Sequence, residues 1–379
     1  MKTLTRILCV LCLPLSAWAQ VPEPPSIAAK SYILYDFDSQ QTLAERDALM
    51  RVEPASITKI MTAYIAFDEI KQGRITLNDQ VLISEKAWRT PGSRTFVEVG
   101  KRVVLEDLLM GSIVQSGNDA TVAIAEHIAG DESVFAQMMN KQAARMGMKD
   151  THFMNSTGLP DAEHYTTAHD IAILADYLIR DFPQQYKHYY STREFTFGHG
   201  KQISQMNRNM LLDMDPFADG IKTGHTESAG YCLAASSIRE GRRIISVVMG
   251  TSGMQARATA SKALLDYGFR FFENVTQFGV DKPVERVTAW KGSVSQLPVG
   301  TVAPVSISLP RGTADKLKTE YQISTQAIAP IQAGQELGTL TLSVEGKTLR
   351  TLPLVALADV AEGGLLTRAV DSLRLWWAE

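Results

Sequence analysis

Pro54-Ala55-Ser56-Ile57-Thr58-Lys59 opens the stretch that decides the fold. Pro54 has its φ preset for a helix and lacks the N–H that a first turn cannot satisfy, so it suits a helix start. Ile57, Ile60, Met61, Tyr64, Ile65 and Phe67 follow at three- and four-residue steps and predict a helix over 56–71. Ser56 then falls in the first turn. Lys59, three residues on, shares nearly the same face. A serine hydroxyl is a poor nucleophile until a base takes its proton. A lysine serves as that base when desolvation and nearby cations keep it neutral. By itself S-x-x-K arises often by chance, and a helix-starting serine beside a solvated lysine is the alternative reading.

Two further segments give the motif company. Ser116-Gly117-Asn118 lies between helical patterns at 106–115 and 120–129, with Asp119 expected as the cap of the second. Ser116 is placed to relay a proton between Lys59 and a leaving amine. Asn118 is placed to bond a substrate amide and steady the lysine. The alternative is a turn and its capping residues. Asp219-Gly220-Ile221-Lys222-Thr223-Gly224-His225 precedes two apolar strands, 231–238 and 243–250, joined at 239–242. A strand edge holds an extended peptide by main-chain pairing. Lys222 is expected to be a second cation that keeps Lys59 neutral, Thr223 to bind a carboxylate, and Gly224 to let the backbone approach closely. The alternative is an exposed edge strand with ordinary polar residues.

Further out, 30–53 reads as strand-turn-strand, and 134–146, 167–179 and 255–272 as helices. Composition shifts near 278 toward Val, Thr, Ile, Pro and Gly in short alternating runs such as 305–309 and 340–344, the pattern of a small all-β sandwich. After Gly363-Gly364, the residues Leu365, Leu366, Ala369, Val370, Leu373, Trp376 and Trp377 share one helical face opposite Arg368, Asp371, Ser372 and Glu379. This helix is too short to span a bilayer and suits its surface. Docking on its own β domain is the other reading. Lys2 and Arg6, the apolar run 7–15 and Ala17-Trp18-Ala19 have the layout of a secretory signal. The expected organisation is a signal at 1–19, a catalytic domain at 20–277, a β-rich domain at 278–358 and an amphipathic helix at 359–379.

Of 379 residues, 45% are hydrophobic and 21% charged, which excludes wholesale disorder. The net charge of −3 argues against a nucleic-acid binder. Cys9 and Cys12 leave with the signal, so Cys232 alone remains and no internal disulfide is possible. The seven histidines are scattered, and His164 and His169 lack partners at ligand spacing, so neither a metal nor a cofactor is expected.

S-x-x-K, S-x-N about 60 residues later and K-T-G about 105 beyond that occur here in order, on helix start, loop and strand. The trio marks β-lactamases and penicillin-binding proteins. With Asn207-Arg208-Asn209, Gly268-Phe269-Arg270-Phe271-Phe272, the β domain and the tail, the chain resembles the exported serine D-Ala-D-Ala carboxypeptidases, the low-molecular-mass penicillin-binding proteins. The resemblance implies an α/β (α+β) penicillin-recognising serine transferase, β-lactamase-like in fold, followed by the β sandwich and the amphipathic helix. It implies an acyl-enzyme on Ser56. The N–H groups of Ser56 and His225 would form the oxyanion hole, at roughly 3–4 kcal/mol each. Arg257 matches a family arginine that helps hold the substrate carboxylate, and Arg208 lines the same cleft; for both, a surface arginine paired to an acid is the alternative. Peptidoglycan stem peptides and β-lactams are the implied partners. The implied place is the periplasm, on the outer face of the inner membrane. A D,D-endopeptidase, a serine β-lactamase and a non-catalytic peptidoglycan-binding protein are the competing functions. The lactamase reading lacks its Glu-x-x-Leu-Asn segment; the nearest acidic stretch, 161–165, does not match it.

Overall fold

The computed structural model describes residues 21–198, 202–279, 282–324 and 326–378. The expected signal, 1–19, lies outside them.

The chain begins with strands β1 (Ser31–Asp36) and β2 (Gln41–Arg46), then a 3-10 turn, Ala55–Thr58, that runs into helix α1 (Lys59–Lys71). Strand β3 (Gln80–Leu82), helix α2 (Glu85–Arg89) and strand β4 (Arg102–Val104) lead to α3 (Leu105–Val114), α4 (Asn118–Ala129), α5 (Glu132–Met146), α6 (Ala168–Asp181) and α7 (Pro183–Tyr190). After β5 (Glu194–Phe197), β6 (Ile203–Met206) and α8 (Leu211–Met214) come β7 (Ala218–Thr226), β8 (Gly230–Arg239), β9 (Arg242–Thr251) and α9 (Met254–Phe271).

The central sheet is antiparallel, in the order β2-β1-β9-β8-β7. Both of its faces are covered, so β8 and β9 read as continuous buried runs rather than alternating ones. On one face Leu34, Leu233, Ile244 and Val248 pack with Leu264 and Leu265 of α9. On the other, Ile33, Ala234, Ile245 and Val247 join the core of the α1–α7 cluster. β7 is the strand at one end of this sheet, and it contacts the 3-10 turn that carries Ser56. The two motif-bearing ends therefore meet at a sheet edge.

The second half contains β10 (Phe272–Gln277), β11 (Glu285–Thr288), β12 (Gln296–Gly300), β13 (Val305–Pro310), β14 (Leu317–Ile323), β15 (Glu336–Val344) and β16 (Lys347–Ala356). A five-stranded sheet, β11-β12-β16-β15-β14, faces the β10–β13 pair, with Val305, Ile307 and Leu309 packed against Leu342. This is the small sandwich expected from the alternating runs. β10 follows α9 directly, so its ladder begins at Phe272, ahead of the compositional shift at 278. Arg242 ties the halves together. It donates to Asp36 Oδ2 (2.7 Å), the Phe272 carbonyl (2.7 Å) and Ser308 Oγ (2.9 Å).

The last helix, α10 (Leu365–Ala378), touches the sandwich through its polar side: Asp371 accepts from the Lys291 N–H at 2.7 Å. Its apolar face is open, with Leu365, Leu366 and Trp377 each more than four-fifths exposed. No helix among the described residues is long and apolar enough to cross a membrane.

Candidate active site

Ser56 sits in the 3-10 turn one residue before α1, slightly outside the α-helix that the periodicity predicts. Ala55 before it has φ 47°, in the left-handed region that disfavours a side chain. Neighbouring backbone holds this turn in place. A Cβ at Gly158 would lie 1.7 Å from the Ala55 carbonyl oxygen, and one at Gly224 would lie 2.9 Å from the Pro54 carbonyl oxygen and 3.2 Å from Ala55 Cβ. The glycine of the K-T-G motif thus lets β7 lie against the turn, and its neighbour His225 is the exposed end of that approach.

Lys59 is fully buried. Its Nζ donates to Ser56 Oγ (2.9 Å), Asn118 Oδ1 (2.7 Å) and the Thr157 carbonyl (2.7 Å). Burial, and then the Arg208 cation, push its pKa down to about 7, against the opposing pull of Asp119 and Glu132. Near neutral pH an appreciable share of Lys59 is therefore the free amine. As the ammonium it fills all three acceptors. As the amine it has one proton fewer and can accept from the Ser56 hydroxyl, the geometry a general base needs.

Asn118 contacts the lysine directly. Its Oδ1 faces Nζ, and its Nδ2 donates to the Pro91 carbonyl at 2.6 Å, which sets the amide orientation. Ser116 is buried at φ 66°, and its Oγ has no hydrogen-bond partner among the described residues. A hydroxyl so placed is free to take up a transferred proton. Asp119 departs from expectation. Gly117 holds the N-cap position of α4, while the Asp119 carboxylate accepts from the N–H groups of Thr95 (2.7 Å) and Phe96 (2.8 Å). It pins the neighbouring loop and, from inside the first turn rather than the N-cap position, also accepts from the Ala120 N–H of α4 at 2.9 Å.

Lys222 lies close to the Lys59 site. It is buried on β7, with Nζ donating only weakly to the Thr223 carbonyl at 3.2 Å. Burial first, and then Lys59, Arg208 and Arg257, hold it well below the usual lysine range. Arg208 is the cation that, after burial, lowers the Lys59 pKa. Thr223 is buried beside it, and the His225 ring stacks on Tyr231 at 3.9 Å.

Arg257 is not a surface arginine paired to an acid. It is 4% exposed and donates to the carbonyls of Gly224 (2.9 Å), Cys232 (3.4 Å) and Arg208 (3.4 Å). Desolvation lowers its pKa to about 10. Arg208 reaches solvent and donates from Nε to the Gln115 carbonyl at 2.9 Å, which puts it beside the Ser116 loop.

The sequence reading missed three supports. His164 is buried; its Nδ1 accepts from the Met154 N–H, so Nε2 carries the proton toward Thr58 Oγ1 at 2.9 Å. Burial lowers its pKa to about 4. Glu132 accepts from the Ser156 N–H (3.1 Å) and hydroxyl (2.7 Å), which steadies the segment that offers the Thr157 carbonyl to Lys59. Asp119 is the third. No spacing rule points to the first two, whereas Asp119 adjoins a motif already singled out.

The sequence matches the D-alanyl-D-alanine carboxypeptidase family over residues 18–253, and the C-terminal domain of penicillin-binding protein 5 over 272–362. It is 39% identical to the D-alanyl-D-alanine carboxypeptidase DacA of Escherichia coli K12, over 94% of this chain and 89% of that one. It is 36% identical to DacF of Bacillus subtilis, over 92% and 91%. Penicillin binding protein 5 of Haemophilus influenzae, at 38% identity, superposes with a TM-score of 0.85 over 90% of this chain and 100% of that one. The penicillin-binding protein architecture, an α/β catalytic unit followed by a β-sheet domain, is thus shared along nearly the whole length. The chain belongs to the D-alanyl-D-alanine carboxypeptidase family of serine peptidases.

Proposed function

We propose that this protein removes the terminal D-alanine from peptidoglycan stem pentapeptides through an acyl-enzyme on Ser56, and that β-lactams acylate the same serine. The observation that carries this is the buried Lys59 amine, 2.9 Å from Ser56 Oγ, with a pKa pushed down to about 7. Neutral Lys59 takes the Ser56 proton as Oγ attacks the penultimate carbonyl. The N–H groups of Ser56 and His225 hold the developing oxyanion. Ser116 passes the proton to the departing D-alanine amine, and water then releases the shortened peptide. Thr223, Arg257 and Arg208 hold the terminal carboxylate. Asn118, beyond steadying Lys59, pairs with the substrate amide, and Lys222 and Gly224 shape the strand side of the cleft.

The signal at 1–19 exports the chain, and α10 lies on the outer face of the inner membrane, with the sandwich as a pedestal that lifts the cleft toward the wall. The exposed apolar face of α10 supports that placement. Incubation with a stem pentapeptide ending in D-Ala-D-Ala tests the activity: released D-alanine is expected, and its absence under conditions where Ser56 is acylated by penicillin would reject the carboxypeptidase reading.

A further inference from the structure

A cavity of about 750 Å³ lies between the catalytic unit and the sandwich, and none of its lining residues belongs to the serine cleft. The facing ends of β8 and β9 contribute Arg239 and Arg242, with Glu240 in the turn between them. β10 and β13 contribute Asn274 and Ser306. The turn is tight: Glu240 at φ 51° and Gly241 at φ 80° give it the two left-handed residues of a two-residue hairpin loop. The volume is that of a small-molecule pocket.

The polar groups around this cavity are mixed in sign and in kind. Arg239, Arg242 and Arg180 are each bonded to a buried aspartate behind the lining, Asp215, Asp36 and Asp176 respectively. Arg311 donates to the carbonyls of Arg270 (3.1 Å) and Phe269 (3.0 Å). Asp38, Glu240 and Glu273 add carboxylates that, among the described residues, are bonded to none of these arginines. Three lining residues keep one buried polar atom each without a partner: Arg239 Nε, Asn274 Oδ1 and Ser306 Oγ. The first donates, the second accepts and the third does either. Buried polar atoms are nearly always paired, so three unpaired ones around one cavity mark missing partners. An anion would leave Asn274 Oδ1 unpaired and meet three carboxylates. A cation would meet four guanidiniums. Sugar hydroxyls donate and accept alike, and match both sets. Phe269 and Pro304 add apolar surface for ring C–H groups.

We propose that this junction binds an uncharged saccharide, a short segment of the glycan strand that carries the stem peptides. The choice of glycan rests on the carboxypeptidase reading; the need for a neutral polyol rests on the cavity alone. Hydroxyls accept from Arg311 and Arg239 and donate to Asp38, Glu240 and Asn274. Holding the strand here presents its stem peptides to the cleft at a high effective concentration.

The test uses the full-length mature protein and the trisaccharide of N-acetylglucosamine, which carries no peptide. Binding is followed by saturation-transfer NMR and calorimetry, with Ser56 free and after incubation with penicillin. Saturable binding is expected, equal in both states. Asp38→Ala and Arg311→Ala should each weaken it about tenfold, the order of one hydrogen bond to a charged group. Thr276 lines the cavity, exposed, opposite Ser306 in the β10–β13 ladder, and Thr276→Trp should fill the space and abolish binding. Circular dichroism and D-alanine release from free pentapeptide should be unchanged in all three variants. Absence of binding to the wild-type protein overturns the proposal. So does binding that penicillin displaces, or that all three folded variants leave unchanged. Binding of inorganic pyrophosphate in place of the trisaccharide makes the cavity an anion receptor and also overturns it. A protein that binds the trisaccharide but leaves the pentapeptide intact rejects the carboxypeptidase reading and keeps the saccharide site.

Discussion

Lys59 Nζ and Asn118 Oδ1 lie 2.7 Å apart, and the other end of the same amide is tied to the Pro91 carbonyl. With the Thr157 carbonyl, the amide fixes two of the directions around Nζ and leaves the third to Ser56. A lysine stem with four rotatable bonds is thereby aimed at one hydroxyl. Burial then makes the amine accessible near neutral pH.

Acylation should follow the deprotonation of Lys59. The rate of acylation by a β-lactam is expected to rise with pH through about 7, because the amine form grows above that pKa. Arg208→Gln removes the cation that helps depress this pKa, so the limb should move to higher pH. Lys59→Arg keeps a permanent charge and should abolish acylation. A pH profile left unmoved by Arg208→Gln would contradict the electrostatic assignment.

Gly224→Ala should lower acylation by about 100-fold, the order expected for a small misplacement of catalytic groups. The added Cβ meets the Pro54 carbonyl and Ala55, so β7 must move away from the Ser56 turn. Stopped-flow acylation checks this. A near wild-type rate would mean that the close contact of strand and turn is not needed.

His164 should make the fold acid-sensitive. Its folded pKa of about 4 lies below its ordinary value of 6.5, so the unfolded chain binds more protons between those pH values. Stability is therefore fully present above about 6.5 and declines as pH falls toward about 4, by up to about 3 kcal/mol from this group. Denaturant titrations of wild type and His164→Asn should differ in slope over that window. Parallel curves would contradict a buried neutral imidazole.

Deleting residues 363–379 should leave turnover on a small peptide intact and reduce binding to vesicles. Trp376, Trp377, Leu365 and Leu366 supply exposed apolar area, while Arg368 pairs with Glu362 and Arg374 lies 3.9 Å from Asp371. Binding should depend little on salt, since apolar burial dominates. Equal partitioning of full-length and truncated protein would reject the anchor.

Much of this site was legible because its chemistry is local in sequence. S-x-x-K puts Ser56 and Lys59 on one face, and 231–238 and 243–250 were readable as neighbouring strands from alternation, although in the fold both are buried continuously on both faces. The desolvation of Lys222 and Arg257 was not legible. Lys222 looks like a free cation until β7 is seen buried, and Arg257 looks like surface until its carbonyl partners appear. Helix α7 escaped notice because its buried face is made of Tyr186 and Tyr190, which stack on each other, and Tyr189, which stacks on Phe67, rather than following an aliphatic pattern. The β3–β4 and β5–β6 hairpins are too short for alternation to register. His164 finds Thr58 across 106 residues, a contact that no spacing rule reaches.

Acylation of Ser56 is open to direct mapping. Wild type and Ser56→Ala should be exposed to a labelled penicillin, digested and mapped by mass, with D-alanine release followed in parallel. One adduct is expected, on the peptide containing Ser56 in wild type. Neither adduct nor D-alanine release is expected in the variant, with its circular dichroism unchanged. A persistent adduct in folded Ser56→Ala, or a wild-type adduct mapped to another residue, would contradict it.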